Sequence, residues 1–172
     1  MTERFAHHLR LKDIHDGQRL DLTADEDERE AIAQRLGIEA LSCLEAHAVL
    51  SRNGDVVRAE GRLAASLHQR CVVTSDPIAA HVDEHFEVMF KPAPTDGADE
   101  ELELGGDDLD VVFHDGVIDL GTAIADTLAL SLDPFPRSAA ADAALKEAGV
   151  LTEAEASPFA ALAQLKKSSE NS

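Results

Sequence analysis

The stretch that decides the fold is LEAHAVLSRNGDVVRAEGRLAASL, residues 44–67. Asn53-Gly54 near its middle is a dipeptide favoured in two-residue hairpin turns, because both turn positions need a positive φ. On each side of it, apolar residues alternate with polar ones, which is typical of a strand with one buried face. The apolar positions are Leu44, Ala46, Ala48 and Leu50 before the turn, and Val57, Ala59, Gly61, Leu63, Ala65 and Leu67 after it. The sequence therefore predicts two long antiparallel strands.

Shorter segments with the same alternation flank this hairpin. Phe5–Leu11 and Gln18–Leu22 predict strands before it, and Ile78–Phe90 and Asp110–His114 predict strands after it. In the strand that follows the hairpin, the residues expected to face inward are Val82, Phe86, Val88 and Phe90. We infer an α+β fold in which helices pack on an antiparallel β-sheet or partly closed β-barrel.

A first helix is predicted before the hairpin. Thr23 and Glu26 have the spacing of a capping box, in which two side chains satisfy free N–H groups at a helix start. The helix is expected to span Thr23–Leu36 and to stop at Gly37, because glycine readily adopts the left-handed conformation that ends a helix.

A second helix is predicted over Asp119–Leu132. Its apolar residues recur every four positions, and Asp119 is a suitable N-cap. Pro134 and Pro136 end this helix, because proline lacks the backbone N–H that a helix interior requires.

Residues 138–172 are predicted to form a helical, partly flexible tail. Ala139–Ala148 is expected to form a short helix, and Ser157-Pro158 has the cap and first-turn proline of another. Residues 1–137 then constitute a single α+β domain that contains an acidic loop at residues 92–108, where proline, glycine and acidic residues show no periodic order.

The formal net charge of −19 limits the partners that the chain can meet. Nucleic acids and anionic membranes repel such a surface, whereas basic proteins are attracted to it. Aromatic residues make up 3% of the chain, so few side chains can stack on bases. The sequence shows no secretory leader and no apolar run of membrane-spanning length, and we therefore expect a cytoplasmic location without membrane contact.

The negative charge is concentrated between Pro92 and Pro136, where no Lys or Arg occurs. The acidic loop is predicted to bind a basic partner through Asp96, Asp99, Glu100, Glu101, Glu103, Asp107 and Asp108. Two interpretations stay open, because a run of like charges forms either a solvated face or a recognition surface.

Direct RNA binding is the alternative to a basic protein partner. The predicted hairpin carries the only basic cluster that the sequence allows us to draw, and its members are Arg52, Arg58, Arg62 and Arg70. RNA contact at this cluster would have to overcome the repulsion from the rest of the chain.

Two cysteines and two histidines have spacings that a zinc ion would accept. Cys43-x-x-x-His47 and His68-x-x-Cys71 together offer two sulfur and two imidazole ligands. Residues 43 and 47 share one face of a strand, but nothing in the sequence shows that the two pairs meet. Unrelated strand residues are the alternative, and we predict no metal ion or other cofactor.

The carboxylate pairs do not predict an enzyme. Asp107-Asp108 and Glu100-Glu101 lie in an exposed run, whereas general acid–base catalysis needs a sheltered pair with separated pKa values. Gly105-Gly106 is followed by acids instead of the Lys-Ser/Thr of a phosphate-binding loop. A hydrolase or nuclease that uses clustered aspartates with a divalent metal is the catalytic alternative.

Five segments in the second half occur in an order that resembles a known family. They are LHQRCVVTSDP (67–77), FEVMF (86–90), DDLD (107–110), GVIDLG (116–121) and LALSLDPFPR (128–137). The order resembles that of the YceD-like family, the large ribosomal RNA subunit accumulation proteins. The residues that carry the family pattern are His68, Arg70, Cys71, Pro77, Asp119, Leu120, Pro134 and Pro136.

One departure from that family concerns the cysteines. Many members have a Cys-x-Arg-Cys pair and a second cysteine pair after the Pro-ended helix, which together look like a zinc site. His68 replaces the first of these cysteines here, and no cysteine follows Arg137. The resemblance therefore implies that the metal site is absent and that Cys71 is structural.

The resemblance implies a bacterial role in the accumulation or processing of 23S ribosomal RNA, and hence in assembly of the large ribosomal subunit. It transfers no catalytic residues. Combined with the charge, it leads us to expect a non-catalytic ribosome-biogenesis factor whose acidic surface binds a basic ribosomal protein or another component of the pre-50S particle.

Overall fold

The computed structural model describes residues 8–94 and 110–150, and it confirms a mixed α+β chain. The strands are β1 (His8–Arg10), β2 (Gln18–Thr23), β3 (Ala40–Asn53), β4 (Val56–Arg70), β5 (Pro77–Pro92), β6 (Asp110–His114) and β7 (Val117–Asp119). The helices are α1 (Glu26–Leu36), α2 (Leu120–Ser131) and α3 (Ala141–Glu147), and Leu11–Asp13 forms a short 3-10 turn. Strand β7 was not predicted, because its three residues are too short for an alternating pattern.

Five strands form an open sheet in the order β2-β3-β4-β5-β6, and β1 pairs with β7 in a separate antiparallel ribbon. Within residues 8–94 and 110–150 the sheet begins at β2 and ends at β6, so the partly closed barrel is not found there. The sheet is also not purely antiparallel, because β6 runs parallel to β5. Parallel neighbours need a long connection between them, and the acidic segment after Pro92 provides one.

The predicted hairpin is confirmed, with its turn one residue later than expected. Asn53 pairs with Val56, so the two loop residues are Gly54 and Asp55. Gly54 has a φ of 62°, whereas Asp55 has no positive φ. A turn with glycine at its first loop position requires a single positive φ, which explains why the aspartate is tolerated at the second.

Gly61 permits the two hairpin strands to approach each other closely. It lies opposite Ala48 in the β3–β4 register, and a Cβ atom at this position would stand 1.9 Å from the backbone oxygen of His47. Real Cβ atoms do not come so near to a carbonyl oxygen, so this position requires glycine.

Helix α1 begins later than predicted. Thr23 stays in β2 and pairs with Glu45, and the N-cap is Asp25. Asp25 Oδ1 accepts a hydrogen bond from the Glu28 backbone N–H at 2.9 Å, and Glu28 Oε2 accepts one from the Asp25 N–H at 3.0 Å. The capping box therefore exists two residues beyond the predicted one, because strand pairing holds Thr23 in an extended conformation. The helix ends at Gly37, as expected, with a φ of 65°.

Helix α2 has the predicted N-cap. Asp119 Oδ1 accepts from the Thr122 backbone N–H at 2.9 Å, and Leu120, Ile124 and Leu128 are fully buried. The residues predicted to face inward from β3, β4 and β5 are also buried, except for the half-buried Gly61. Each large aliphatic side chain in such a core stabilises the fold by about 1.5–3 kcal/mol. Within residues 8–94 and 110–150, no helix has the length and apolar character needed to cross a membrane.

The chain divides into two compact units. The first comprises residues 1–69 and 79–134, and the second comprises residues 70–78 and 135–172. Helix α3 belongs to the second unit and lies within the predicted Ala139–Ala148 helix. The helix predicted from Ser157-Pro158 lies outside the described residues, and the predicted domain boundary after residue 137 stays a prediction.

Candidate functional site

Two arginines of the predicted RNA-contact cluster form ion pairs on the outer face of the sheet. Arg62 Nη2 donates to Asp83 Oδ2 at 2.8 Å, and its Nε contacts the other carboxylate oxygen. This hydrogen bonding raises the pKa of Arg62 and lowers the pKa of Asp83. Arg58 contacts Glu87 on β5 and lies 3.4 Å from Glu60. Each arginine therefore faces a carboxylate that offsets its charge.

Arg52 has a structural role, because its side chain forms hydrogen bonds within the chain. Its guanidinium donates to the backbone oxygens of Leu11 at 2.6 Å and Gly54 at 2.9 Å, while its own N–H donates to Asp16 Oδ1 at 3.1 Å. These bonds tie the hairpin turn to the chain before β2. Arg70 is exposed at the opposite end of β4 from the turn. The four arginines of the cluster thus occupy different settings along the hairpin.

A row of acidic and basic side chains crosses the outer face of the sheet. His47 Nδ1 lies 2.6 Å from Asp21 Oδ1, and His47 stands opposite Arg62 in the β3–β4 register. The row therefore runs Asp21, His47, Arg62 and Asp83 over four adjacent strands. Carboxylates stand at both ends of the row, and Asp83 offsets the charge of Arg62, so this face is not a positive patch.

Cys71 lies in a tight loop of the second unit and is 2% exposed. Its sulfur accepts hydrogen bonds from the backbone N–H groups of Thr74 at 3.4 Å and Ser138 at 3.3 Å. Burial opposes the charged thiolate, but the hydrogen bonds from Thr74 and Ser138 outweigh it and lower the pKa of Cys71 to about 6. The loop is closed by the Cys71 N–H, which donates to Asp76 O at 2.8 Å, and Ser75 has a φ of 62°.

The structure does not assemble the four zinc ligands considered from the sequence. His47 points to the outer face and contacts Asp21, while Cys43 is half-buried on the same strand. In the part of the chain that the structure describes, no three His, Cys, Asp or Glu residues are placed to hold a metal ion. Cys71 is instead surrounded by backbone N–H donors, which satisfy a thiolate without a metal.

The remaining family-pattern residues have structural positions. His68 lies in β4 opposite Ala40, and Pro77 begins β5. Leu120 is the fully buried first residue of α2, and the carbonyl of Pro136 accepts from the Val72 N–H at 2.9 Å within the second unit. Pro134 is exposed, three residues after the last residue of α2.

The acid-only stretch is divided between described and undescribed residues. All seven carboxylates predicted to bind a partner, Asp96, Asp99, Glu100, Glu101, Glu103, Asp107 and Asp108, lie outside the described residues. Among those that follow, Asp119 caps α2 and Asp126 pairs with Arg35 of α1. Asp110, the first residue of β6, and Asp115, which follows its last residue, are exposed.

His114 joins three parts of the first unit, and sequence reasoning missed it. It is 7% exposed and is the only buried polar residue in residues 8–94 and 110–150. The Gly116 N–H donates to its Nδ1 at 3.1 Å, so Nε2 carries the proton and donates to Asp55 O at 2.8 Å. The only signal in the sequence was its position before Asp115-Gly116, which ends β6.

A cavity of about 290 Å³ opens beside this histidine. It is lined by Leu11, Asp55, Pro92, Ala93, His114, Asp115 and Gly116. The cavity therefore combines apolar walls with two exposed aspartates, and it lies where β5 and β6 end.

The model of one protein family, described as large ribosomal RNA subunit accumulation protein YceD, matches residues 59–166. The chain belongs to this family. The YceD match covers more than half of the chain and includes β5, β6, β7, α2, α3 and most of β4. It confirms the resemblance drawn from residues 67–137, and the family description names accumulation instead of a catalysed reaction. No curated protein and no solved structure matches the chain.

Proposed function

We propose that this YceD-family protein supports accumulation of large-subunit ribosomal RNA by holding a basic component of the growing large subunit. The component is a basic ribosomal protein or a basic patch of the pre-50S particle. The protein acts in the cytoplasm through reversible contacts, without catalysing a reaction, and ribosomal RNA displaces it as the particle matures.

The family match over residues 59–166 is the observation that carries this proposal, because it connects the chain with large-subunit ribosomal RNA. The net charge of −19 supports a protein partner over direct RNA binding. The contacts of the hairpin arginines also favour a protein partner over direct RNA binding. Arg58 and Arg62 face carboxylates, and the guanidinium of Arg52 donates hydrogen bonds to backbone oxygens.

The acidic loop at residues 92–108 is the proposed recruiting element. It carries seven carboxylates and no Lys or Arg, so it attracts a basic protein over a distance set by the ionic strength. Because this attraction depends on unscreened charge, the complex should form at low salt and weaken as salt increases.

The test is a pull-down of purified ribosomal proteins with the tagged full chain at low and at high salt. We expect retention of one or more basic large-subunit proteins at low salt only. A loop variant with Asp96, Asp99, Glu100, Glu101, Glu103, Asp107 and Asp108 changed to Asn or Gln should lose this retention. A matched control removes seven exposed carboxylates elsewhere: Glu26, Asp27, Glu30, Glu45, Glu84, Asp142 and Glu147.

The control has the same net charge as the loop variant. A difference in binding between the two variants therefore comes from where the carboxylates lie and not from how many there are. Retention by the control and not by the loop variant supports the proposal. Retention by neither variant assigns binding to net charge alone, and absence of any basic ribosomal protein with the unmodified chain would refute the proposal.

A further inference from the structure

Strand β6 ends the five-stranded sheet in the described part of the chain, so one of its edges carries no neighbouring strand there. The His114 carbonyl accepts from the Ala93 N–H at 2.9 Å, which directs the His114 backbone groups toward β5. Backbone groups alternate between the two edges of a strand, so those of Val111 and Phe113 point away from β5. The free edge therefore offers two N–H donors and two carbonyl acceptors.

Exposed apolar side chains lie along this edge. Val112 is 38% exposed and Phe113 is 49% exposed. Edge strands of soluble proteins usually carry charged residues or proline, which prevent unwanted pairing. An edge with apolar side chains is the kind of surface to which an extended peptide adds as a further strand.

The cavity of about 290 Å³ lies at the end of this same strand. Leu11, Pro92 and Ala93 give it apolar walls, and Asp55 and Asp115 bring two carboxylates. In residues 8–94 and 110–150, neither carboxylate forms an ion pair. An apolar passage next to a carboxylate suits a Lys or Arg side chain, whose stem is aliphatic and whose end is cationic.

The charge around the edge favours a basic occupant. Strand β6 begins at Asp110, is followed by Asp115 and contains no Lys or Arg itself, while Lys91 of β5 lies opposite Phe113 in the β5–β6 register. A second copy of the chain would bring an equal negative charge to the same edge, which opposes dimer formation there.

We propose that the free edge of β6 accepts an extended basic segment of a partner protein as an added β-strand. One Lys or Arg side chain of that segment enters the cavity between Asp55 and Asp115. The inference rests on the proposed function and deepens it, because it assigns docking to described residues, while the acidic loop supplies attraction.

The probe is an acetylated and amidated eight-residue peptide of alternating Val and Lys, measured by fluorescence anisotropy at low salt. A Val–Glu peptide of the same length tests the charge requirement. A Val–Lys peptide with its interior amides N-methylated keeps the charge and removes the N–H donors. We expect the N-methylated peptide to bind roughly tenfold more weakly, because it loses its backbone hydrogen bonds. The Val–Glu peptide should not bind.

Two double variants test the cavity. D55N with D115N should weaken binding of the Val–Lys peptide roughly fivefold, because the cationic side chain loses its carboxylates. D27N with D142N removes the same charge from exposed helix positions and should change binding less than about twofold. Hydrogen exchange of the Val111 and Phe113 amides should be fast in the free chain and slower with the peptide bound.

Three outcomes would overturn the inference. Equal binding of the N-methylated peptide would exclude strand addition, even if the pull-down retains basic ribosomal proteins and the proposed function stands. Slow exchange of the Val111 and Phe113 amides in the free monomer would show that this chain's own residues cover the edge. A concentration-dependent dimer that Phe113→Ser abolishes would assign the edge to a second copy. The proposed function itself fails only if the pull-down retains no basic protein.

Discussion

The two long strands of the hairpin and the short strand β6 belong to one sheet, but they differ in whether their charged side chains form ion pairs. On the hairpin, Arg62 meets Asp83 and Arg58 meets Glu87, so the outer face is balanced. Around the cavity at the end of β6, Asp115 and the hairpin-turn residue Asp55 have no ion pair within the described residues, and apolar side chains of β6 are exposed nearby. The net charge of the chain therefore says less about a binding surface than the places where charges lack partners.

The hairpin can be broken at its closest backbone contact. Replacing Gly61 with Ala places a Cβ atom against the His47 carbonyl, and we expect a loss of about 3 kcal/mol in the free energy of unfolding. Chemical denaturation followed by circular dichroism measures this loss. Val49→Ala, at an exposed position of β3, is the control and should change stability by less than about 0.5 kcal/mol. A Gly61→Ala protein as stable as the unmodified chain would contradict the close approach.

The contacts at the end of β6 can be removed by a substitution at His114. Replacing His114 with Ala leaves the Gly116 N–H and the Asp55 carbonyl without this partner, and it opens a cavity in a buried position. We expect the free energy of unfolding to fall by about 2–3 kcal/mol. Hydrogen exchange in β6 and β7 should increase more than in β3. The exposed His47→Ala is the matched control, and an equal effect of the two variants would show that His114 does not join these strands.

The Cys71 loop adds a third case to the comparison. Its negative charge, the Cys71 thiolate, is stabilised by the backbone N–H groups of Thr74 and Ser138 and not by an opposite charge. The pKa of Cys71 is lowered from its ordinary value of 9.0 to about 6, chiefly because hydrogen bonds from Thr74 and Ser138 outweigh burial. The folded state thus binds its proton less tightly than the unfolded state. The resulting stabilisation is complete above pH 9, decreases as pH falls, and is lost below about pH 6.

In a Cys43→Ser background, the ultraviolet absorbance of the remaining thiolate should titrate with a midpoint near pH 6. Cys71→Ser should reduce stability more at pH 9 than at pH 6, whereas Cys43→Ser alone should show no such difference. A midpoint close to the ordinary cysteine value would contradict the two hydrogen bonds to the sulfur.

The smallest effect is expected at the Arg62–Asp83 pair. Asp83→Asn leaves Arg62 without its carboxylate, and stability should fall slightly, because exposed pairs are screened by water and salt. The pKa of Asp83 is lowered by Arg62, so the contribution is present above the ordinary Asp value and is lost as pH falls through the folded value. A double-mutant cycle with Arg62→Gln isolates the coupling free energy between Arg62 and Asp83. This coupling free energy should vanish in high salt.

The same variant tests RNA binding at the hairpin. Filter binding of a large-subunit RNA fragment should be absent for the unmodified chain and for Asp83→Asn. Clear binding by Asp83→Asn alone would show that the ion pair masks an RNA contact, and binding by both would favour the RNA alternative.

Local pattern predicted much of this fold. The period of two located the hairpin and β5, and the cap and spacing of α2 were correct at Asp119. The errors fell where partners distant in sequence decide the outcome. Thr23 was placed in a helix, although pairing with Glu45 keeps it in β2. The turn was placed one residue early, because the strand register selects the loop residues.

The sequence by itself determined the alternation of buried and exposed positions, the net charge of −19 and the family pattern, because each is a property of residue type and spacing. Only the tertiary structure decided that the sheet stays open, that β6 runs parallel to β5, and that His114 reaches Asp55. These features depend on contacts between residues far apart along the chain. Such contacts leave no periodic signal, since their free energy comes from the packed chain as a whole.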